Sequence, residues 1–220
     1  MNAKELINDS FPPLTTDDTG LKALNWMEEF RLEHLPLVEQ TNYVGLVSEQ
    51  DILKLSALDQ PLSQHKLSVI RPYVRTGQPV FEVVRTMSND KLTIIPVLDD
   101  DNHYMGVITL QDILKYYADS GIFEDANGVI VIEMTPKSYS MTEIARIIES
   151  EDGRIMSAYV TPNPRNETID LTVKVNQPDL TRILASITRH GYFVKEHYHQ
   201  SEFVEDLKSR YDSLMNYLGI

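Results

Sequence analysis

Apolar and polar positions in the first 120 residues follow one pattern twice, with the second copy about sixty residues after the first. Each copy begins with apolar residues three positions apart, which predicts an amphipathic helix. Two short apolar runs separated by a polar turn follow and predict a β-hairpin. These opening positions are Leu21, Leu24, Met27 and Phe30 in the first copy and Phe81, Val84 and Met87 in the second. A closing helix is predicted from Ser48 and from Thr109, so each copy reads as helix, strand, strand, helix.

The two copies also share short stretches of sequence. "VGLVSEQDILKL" at 44–55 matches "MGVITLQDILKYY" at 105–117, and "HLPLVE" at 34–39 matches "IIPVLD" at 94–99. Each copy therefore contains a glycine, two apolar residues, a hydroxyl, two spacers and an aspartate. A further strand over residues 66–74 is predicted to enter the second copy. Repeats of this kind stack, because neither buries its apolar face alone.

The pattern changes at Gly128. A strand, a helix, two strands, a helix and a final strand are predicted in that order as far as Tyr198. The order β-α-β-β-α-β is the split ferredoxin-like arrangement. Residues 201–220 predict one more amphipathic helix, with Phe203, Leu207, Tyr211, Leu214 and Leu218 on one face.

Composition narrows the environment and the partners. The chain has 33 acidic and 20 basic side chains and a formal charge of −13, so its overall field repels nucleic acid and anionic membranes. It contains no cysteine, which excludes a disulfide framework and cysteine-ligated metals. No apolar run approaches the roughly 20 residues that span a bilayer. We therefore expect a cytoplasmic protein that binds neither nucleic acid nor membrane.

The element order, the "lPxV" strand and the motif Gly-x-x-Ser/Thr-x-x-Asp resemble the cystathionine-β-synthase-type (CBS) domain, which occurs in tandem pairs. The resemblance implies a first CBS domain over residues 1–66 and a second over 67–122. Residues 127–200 resemble an ACT domain, a small-ligand regulatory module, and 201–220 form the tail helix. The combination is similar to the acetoin utilization regulatory protein family. The expected fold class is α/β (α+β), a CBS pair followed by a ferredoxin-like domain.

Two interpretations fit the repeated Ser48 to Asp51 and Thr109 to Asp112. In a capping box, the hydroxyl and the acid satisfy backbone N–H groups of the first helical turn. In the CBS resemblance, the aspartate binds a ribose diol and the hydroxyl faces the phosphates of an adenine nucleotide. The residue chemistry alone leaves both interpretations open. The resemblance favours the nucleotide for at least one site, without preferring either.

The same resemblance suggests further nucleotide contacts. Val47 and Ile108 lie next to the two motifs and would offer apolar surface to adenine. Arg71, Arg75 and His34 lie in segments that the resemblance places near the cleft, the two arginines on the strand entering the second copy. Arginine holds phosphate through two hydrogen bonds at once.

The chain contains none of the common catalytic or metal-binding motifs. We therefore expect a regulatory module without enzymatic activity, required cofactor or metal site, which binds AMP, ADP or ATP as a regulatory ligand. The resemblance also implies a homodimer, and a regulated protein partner is a further expectation. A ligand-independent assembly protein is one alternative. An amino-acid sensor acting through the ACT-like part is another, although the turn at 135–140 lacks the glycine that ACT domains often carry there.

Overall fold

The structure is a computed structural model that describes residues 1–120, 128–164 and 166–198. The chain divides into two compact units, Met1–Ser120 and Gly121–Ile220. The tail helix predicted over residues 201–220 lies outside the described residues. Within the described ranges, no helix combines the length and the apolar character needed to cross a membrane.

The first unit contains the two predicted repeats, each built as helix, strand, strand, helix. The first repeat consists of α1 (Gly20–Phe30), β1 (His34–Glu39), β2 (Asn42–Ser48) and α2 (Glu49–Leu53). The second consists of α3 (Val80–Asn89), β4 (Ile94–Leu98), β5 (Tyr104–Thr109) and α4 (Leu110–Asp119), preceded by the short strand β3 (Val74–Arg75). Short 3₁₀ turns lie at Ala3–Leu6 and Leu62–Gln64.

Both hairpins are confirmed. β1 pairs with β2 in an antiparallel ladder, and β4 pairs in the same way with β5. The register is interrupted after Leu37 in the first hairpin and after Val97 in the second. These positions correspond in the repeat, so the two copies share a backbone irregularity as well as a sequence pattern.

Each hairpin is extended by a short segment from elsewhere in the first unit. Asn8 forms an isolated antiparallel bridge with Val107 of β5, and Ile70 forms one with Leu46 of β2. The N···O distances are 2.8 and 3.3 Å in each bridge. The strand predicted over 66–74 is therefore wrong in extent: only Val74–Arg75 is a strand, and it runs parallel to β4.

The glycine of each repeated motif makes room for these segments. A Cβ atom on Gly45 would lie 2.7 Å from the carbonyl oxygen of Ile70. At Gly106, where φ is +135°, a Cβ atom would lie 2.6 Å from Cγ2 of Ile7. Both distances are shorter than side-chain packing allows. The glycines therefore permit the close approach of residues 4–8 and 66–70, which we call the crossing segments.

The opening helices bury part of their predicted apolar face. Met27 and Met87 are buried in the core, whereas Leu21 is 48% exposed and Phe81 is 78% exposed. The reason is geometric, because residues three apart drift by about 60° around a helix at each step. Two steps therefore carry Leu21 and Phe81 away from the buried side.

The second unit confirms the ferredoxin-like prediction. Its elements are β6 (Gly128–Met134), α5 (Met141–Ser150), β7 (Ile155–Asn163), β8 (Thr168–Val175), α6 (Thr181–Arg189) and β9 (Phe193–Tyr198). The strands form an antiparallel sheet in the order β7-β8-β6-β9. Side chains of α5, α6, β6 and β8 share one apolar core, which places both helices on the same face of the sheet.

Candidate functional site

The two repeated motifs lie where a strand ends and a helix begins. Ser48 ends β2 and Thr109 ends β5. Each hydroxyl accepts a hydrogen bond from the backbone N–H of the motif's aspartate, at 3.2 Å for Asp51 and 3.1 Å for Asp112. The capping interpretation is therefore confirmed for both hydroxyls.

The two carboxylates differ in their surroundings. Oδ2 of Asp112 accepts from the Thr109 backbone N–H at 2.8 Å and from its hydroxyl at 2.6 Å, which completes a capping box. Oδ2 of Asp51 accepts from the Ser48 hydroxyl at 2.5 Å, and Oδ1 accepts from Nζ of Lys54 at 3.3 Å. The Ser48 hydroxyl, followed by Lys54, lowers the pKa of the Asp51 carboxyl, so this group is ionised at neutral pH.

Asp51 opens onto a cavity of about 370 Å³, which we call the first cleft. Ile70 of the crossing segment, which is 48% exposed, provides apolar surface in its lining, and Leu46 of β2, which is 1% exposed, also borders it. Asp90 and Lys91 of the second repeat also line it, so the first cleft is built from both repeats. A volume of this size falls in the range of small-molecule sites.

Asp112 opens onto a cavity of about 400 Å³, which we call the second cleft. Ile7 and Asn8 of the N-terminal segment line it, together with Lys115 and Tyr116 of α4. Nδ2 of Asn8 donates to Oδ1 of Asp112 at 3.1 Å. The second cleft therefore places an amide of the chain itself on the motif's carboxylate.

Acidic side chains dominate the lining of the first cleft, which includes Glu33, Glu49, Asp51 and Asp90. Lys91 is the permanently cationic residue among those that line it. His34 also lines the first cleft, with Nδ1 3.4 Å from the Thr93 hydroxyl oxygen. Burial lowers the pKa of this imidazole, which is therefore neutral at pH 7.

The structure corrects the position predicted for the two arginines. Arg71 donates from Nη2 to the carbonyl oxygen of Tyr43 at 3.0 Å. Arg75 donates to the carbonyl oxygen of Asp99 and to Oδ1 of Asn102, both at 2.9 Å. Arg71 thus holds the backbone of β2 and Arg75 holds the turn of the second hairpin, and neither is among the residues that line the first or the second cleft. Arg71 is also outside any strand.

The apolar contacts predicted for adenine are corrected as well. Val47 and Ile108 are fully buried in the core of the first unit, where they face Leu35 and Ile95 across the hairpins. Leu46, the residue before Val47, borders the first cleft but is itself only 1% exposed.

Sequence reasoning missed Leu46, Ile70, Lys91 and Asn8 as residues that line the clefts. One signal for the crossing segments was present, because "KELIN" at 4–8 and "KLSVI" at 66–70 begin with the same residue and place Asn8 opposite Ile70. The match is too short to stand out without the bridges to β5 and β2. Lys91 lies at the end of a helix of the other repeat, and its position depends on how the repeats pack.

A comparison with protein-family models matches the CBS domain at residues 3–58 and 68–119. Among curated proteins, the inosine-5′-monophosphate dehydrogenase of Methanocaldococcus jannaschii is 25% identical over 152 residues, which cover 68% of this chain and 30% of that protein. The homoserine O-acetyltransferase of Methanohalobium evestigatum is 30% identical over 95 residues, covering 43% and 19%. The chain thus spans less than a third of the length of these relatives.

Solved structures to which the chain is similar include a CBS domain pair/ACT domain protein from Thermotoga maritima, with 20% identity, a TM-score of 0.48, and coverage of 55% of this chain and 98% of that one. CBSX2 in complex with AMP has 17% identity, a TM-score of 0.47 and coverage of 54% and 96%. The cytosolic domain of the Mg²⁺ channel MgtE in complex with ATP has 20% identity, a TM-score of 0.44 and coverage of 52% and 48%. The narrower resemblance to the acetoin utilization regulatory protein family stays a prediction.

Proposed function

We propose, on the premise that residues 3–58 and 68–119 are a tandem pair of CBS domains, that the chain is a non-catalytic regulatory protein that binds an adenine nucleotide. The expected ligand is AMP, ADP or ATP. The observation that carries the proposal is an ionised carboxylate, Asp51, that lines a cavity together with the exposed apolar residue Ile70.

The chemistry of this cavity suits a nucleoside. A carboxylate only accepts hydrogen bonds, and its two oxygens offer about four acceptor positions for the two hydroxyls of a ribose. The side chain of Ile70, which is 48% exposed, offers apolar contact for a face of adenine. Asp51 would therefore fix the sugar while the apolar wall holds the base.

The charge of the first cleft favours ligands with few phosphates. Its acidic lining residues outnumber Lys91, and the imidazole of His34 is neutral at pH 7. Each added phosphate brings negative charge close to these acids, which repel it in a partly buried site. We expect AMP to bind more tightly than ATP in the absence of divalent cations, and Mg²⁺ to improve ATP binding more than AMP binding.

We propose that binding is transmitted because the first cleft is lined by both repeats. A ligand that contacts Asp51 of the first repeat and Lys91 of the second favours the arrangement of the repeats in which both contacts are made. It shifts that equilibrium only by its difference in affinity between the two arrangements. The ACT-like domain or a partner protein would respond to the shift.

We also propose that the chain forms a homodimer through the helices of the first unit. Phe81 on α3 is 78% exposed and Leu114 on α4 is 67% exposed. Leu21 and Leu53 occupy the corresponding positions of the first repeat and are also exposed. Large apolar side chains that are exposed at corresponding positions of both repeats favour association with another protein surface. The same surface supports an assembly role if no nucleotide binds.

Isothermal titration with AMP, ADP and ATP tests the nucleotide proposal. The variants are Asp51→Ala and Asp112→Ala, with Asp59→Ala as a control that removes an equal charge from an exposed turn. Hydrogen bonds to a charged group contribute about 1.5–3 kcal/mol, so removing the ribose acceptor is expected to weaken binding by about 10- to 100-fold. Asp59→Ala is expected to bind like the unaltered chain.

A capping role predicts a different result. Loss of a helix cap costs about 1 kcal/mol of stability whether or not nucleotide is present, and it leaves affinity unchanged in protein that is still folded. No heat from any of the three nucleotides, in folded and ligand-free protein, would overturn the proposal and leave the assembly role.

A further inference from the structure

The two clefts differ at one pair of corresponding positions, Asn8 and Ile70. Both residues bridge the strand that leads into a repeated motif, Asn8 at Val107 and Ile70 at Leu46. Their backbone bonds to these partners have the same two N···O distances, 2.8 and 3.3 Å. The side chain at this position is therefore presented to each cleft in a comparable way, as an amide in one and as an aliphatic group in the other.

The amide of Asn8 is held at both ends. Its Oδ1 accepts from the Ser10 backbone N–H at 3.0 Å, and its Nδ2 donates to Oδ1 of Asp112 at 3.1 Å. The amide is thereby oriented with its donor toward the carboxylate. With the two bonds from Thr109 to Oδ2, Asp112 accepts three hydrogen bonds from the chain itself. One of about four acceptor positions then remains, which is too few for a ribose diol.

Asp51 shares with Asp112 the hydrogen bond from the motif's hydroxyl, at 2.5 Å from Ser48 to Oδ2, and differs from it at Oδ1. The donor on its Oδ1 is Lys54, whose side chain is 71% exposed and whose ion pair with Asp51 spans 3.3 Å. Exposed ion pairs of this kind contribute little to stability and exchange readily with water. Ile70, which stands where Asn8 stands in the other cleft, has no polar group with which to engage the carboxylate.

We propose that the side chain of Asn8 occupies the second cleft and prevents Asp112 from binding a ribose, and that nucleotide consequently binds in the first cleft alone. The proposal rests on the nucleotide-binding function proposed above and specifies the cleft that performs it. In this proposal, the side chain at the position shared by Asn8 and Ile70 determines whether a cleft accepts a nucleoside. An aliphatic side chain permits binding, and an amide prevents it.

The test exchanges the two side chains and counts binding sites by isothermal titration with adenosine and with AMP. Adenosine is included because it carries the ribose without phosphate charge. The unaltered chain is expected to bind one molecule per chain, to lose that binding in Asp51→Ala and to keep it in Asp112→Ala. Asn8→Ile is expected to bind two molecules per chain, and the added site is expected to disappear in the double variant Asn8→Ile/Asp112→Ala.

Two further variants complete the exchange. Asn8→Ala removes the amide without adding bulk and is expected to give the same second site as Asn8→Ile. Ile70→Asn places an amide beside Asp51 and is expected to weaken binding at the first cleft by at least tenfold. Tryptophan emission from Trp26, the single tryptophan of the chain and part of α1, verifies that the first unit of each variant is folded.

Two binding sites in the unaltered chain would overturn the inference, and so would loss of binding in Asp112→Ala. One site per chain in both folded Asn8 variants would also overturn it, while leaving the nucleotide-binding function intact. Absence of binding in the unaltered chain and in both Asn8 variants would overturn the nucleotide-binding function itself, and the inference with it.

Discussion

Replacing Gly45 by alanine is expected to separate the crossing segment at Ile70 from the first hairpin. The new Cβ atom would lie 2.7 Å from the carbonyl oxygen of Ile70 and 2.9 Å from Cβ of Val69. Neither neighbour is the end of a flexible side chain. The backbone of the crossing segment must therefore move away from β2.

The expected cost has two parts. Forcing an extra methyl group into a packed site costs about 1–3 kcal/mol. Displacing the segment weakens the two backbone hydrogen bonds between Leu46 and Ile70, and each contributes about 0.5–1.5 kcal/mol. We therefore expect Gly45→Ala to reduce the free energy of unfolding of the first unit by about 2–6 kcal/mol. Because Ile70 lines the first cleft, AMP affinity is expected to fall as well.

The assay is urea unfolding followed by the fluorescence of Trp26. This residue is the only tryptophan in the chain and lies in α1, so its emission reports on the first unit. Gly77→Ala is the matched control, because a Cβ atom there would meet nothing within 4 Å. The control is expected to change stability by less than about 1 kcal/mol, in the stabilising direction. Equal unfolding midpoints for the two variants would refute the packing argument.

The first unit is also expected to lose stability as the pH falls below 6.5. Burial lowers the pKa of His34 in the folded state, so the unfolded chain binds a proton that the folded one does not. The stability that depends on an uncharged His34 is fully present above pH 6.5, and it declines as the pH falls toward the lowered pKa of His34. Urea midpoints between pH 5 and 8 are expected to show a smaller decline for His34→Gln, and an unchanged slope would contradict the assignment. For the helical surface, Phe81→Ser and Leu114→Ser are expected to shift the mass measured by light scattering from dimer to monomer at equal concentration, with little loss of stability because both side chains are exposed. A dimer that persists in the double variant would place the interface elsewhere.

The hairpins were predictable because the residues that define each one are close together in the sequence and because the same pattern occurs in both repeats. Each has two apolar runs, a polar turn and a glycine at a fixed distance before a hydroxyl and an aspartate. The same holds for the second unit, where a strand, a helix, two strands, a helix and a final strand were predicted in the order that the structure has. Regular elements with one buried face are readily inferred from a single sequence.

The crossing segments and the arginines were not predictable in the same way. Residues 4–8 and 66–70 are too short to show a hydrophobic period. Their bridge partners, Val107 of β5 and Leu46 of β2, are not adjacent to them in the sequence. The side chains of Arg71 and Arg75 are long and donate to carbonyl oxygens that the sequence does not single out, that of Tyr43 in β2 and that of Asp99 in the second hairpin turn. In our proposal, the side chain of Asn8 decides which cleft has a carboxylate available for ribose. Its contact with Asp112 can be recognised only once the pairing of Asn8 with β5 is known.

The bond between Asn8 and Asp112 joins residues 104 positions apart in the sequence. Closing a long loop costs more conformational entropy than closing a short one, and contacts between distant residues tend to form late in folding. The pairing of Ile70 with Leu46 closes a much shorter loop. During folding, the first cleft is therefore expected to gain its apolar wall before Asn8 reaches Asp112. A ligand present at that stage would meet Asp112 uncovered, so the order of assembly, and not the final structure alone, sets how long the second cleft stays accessible.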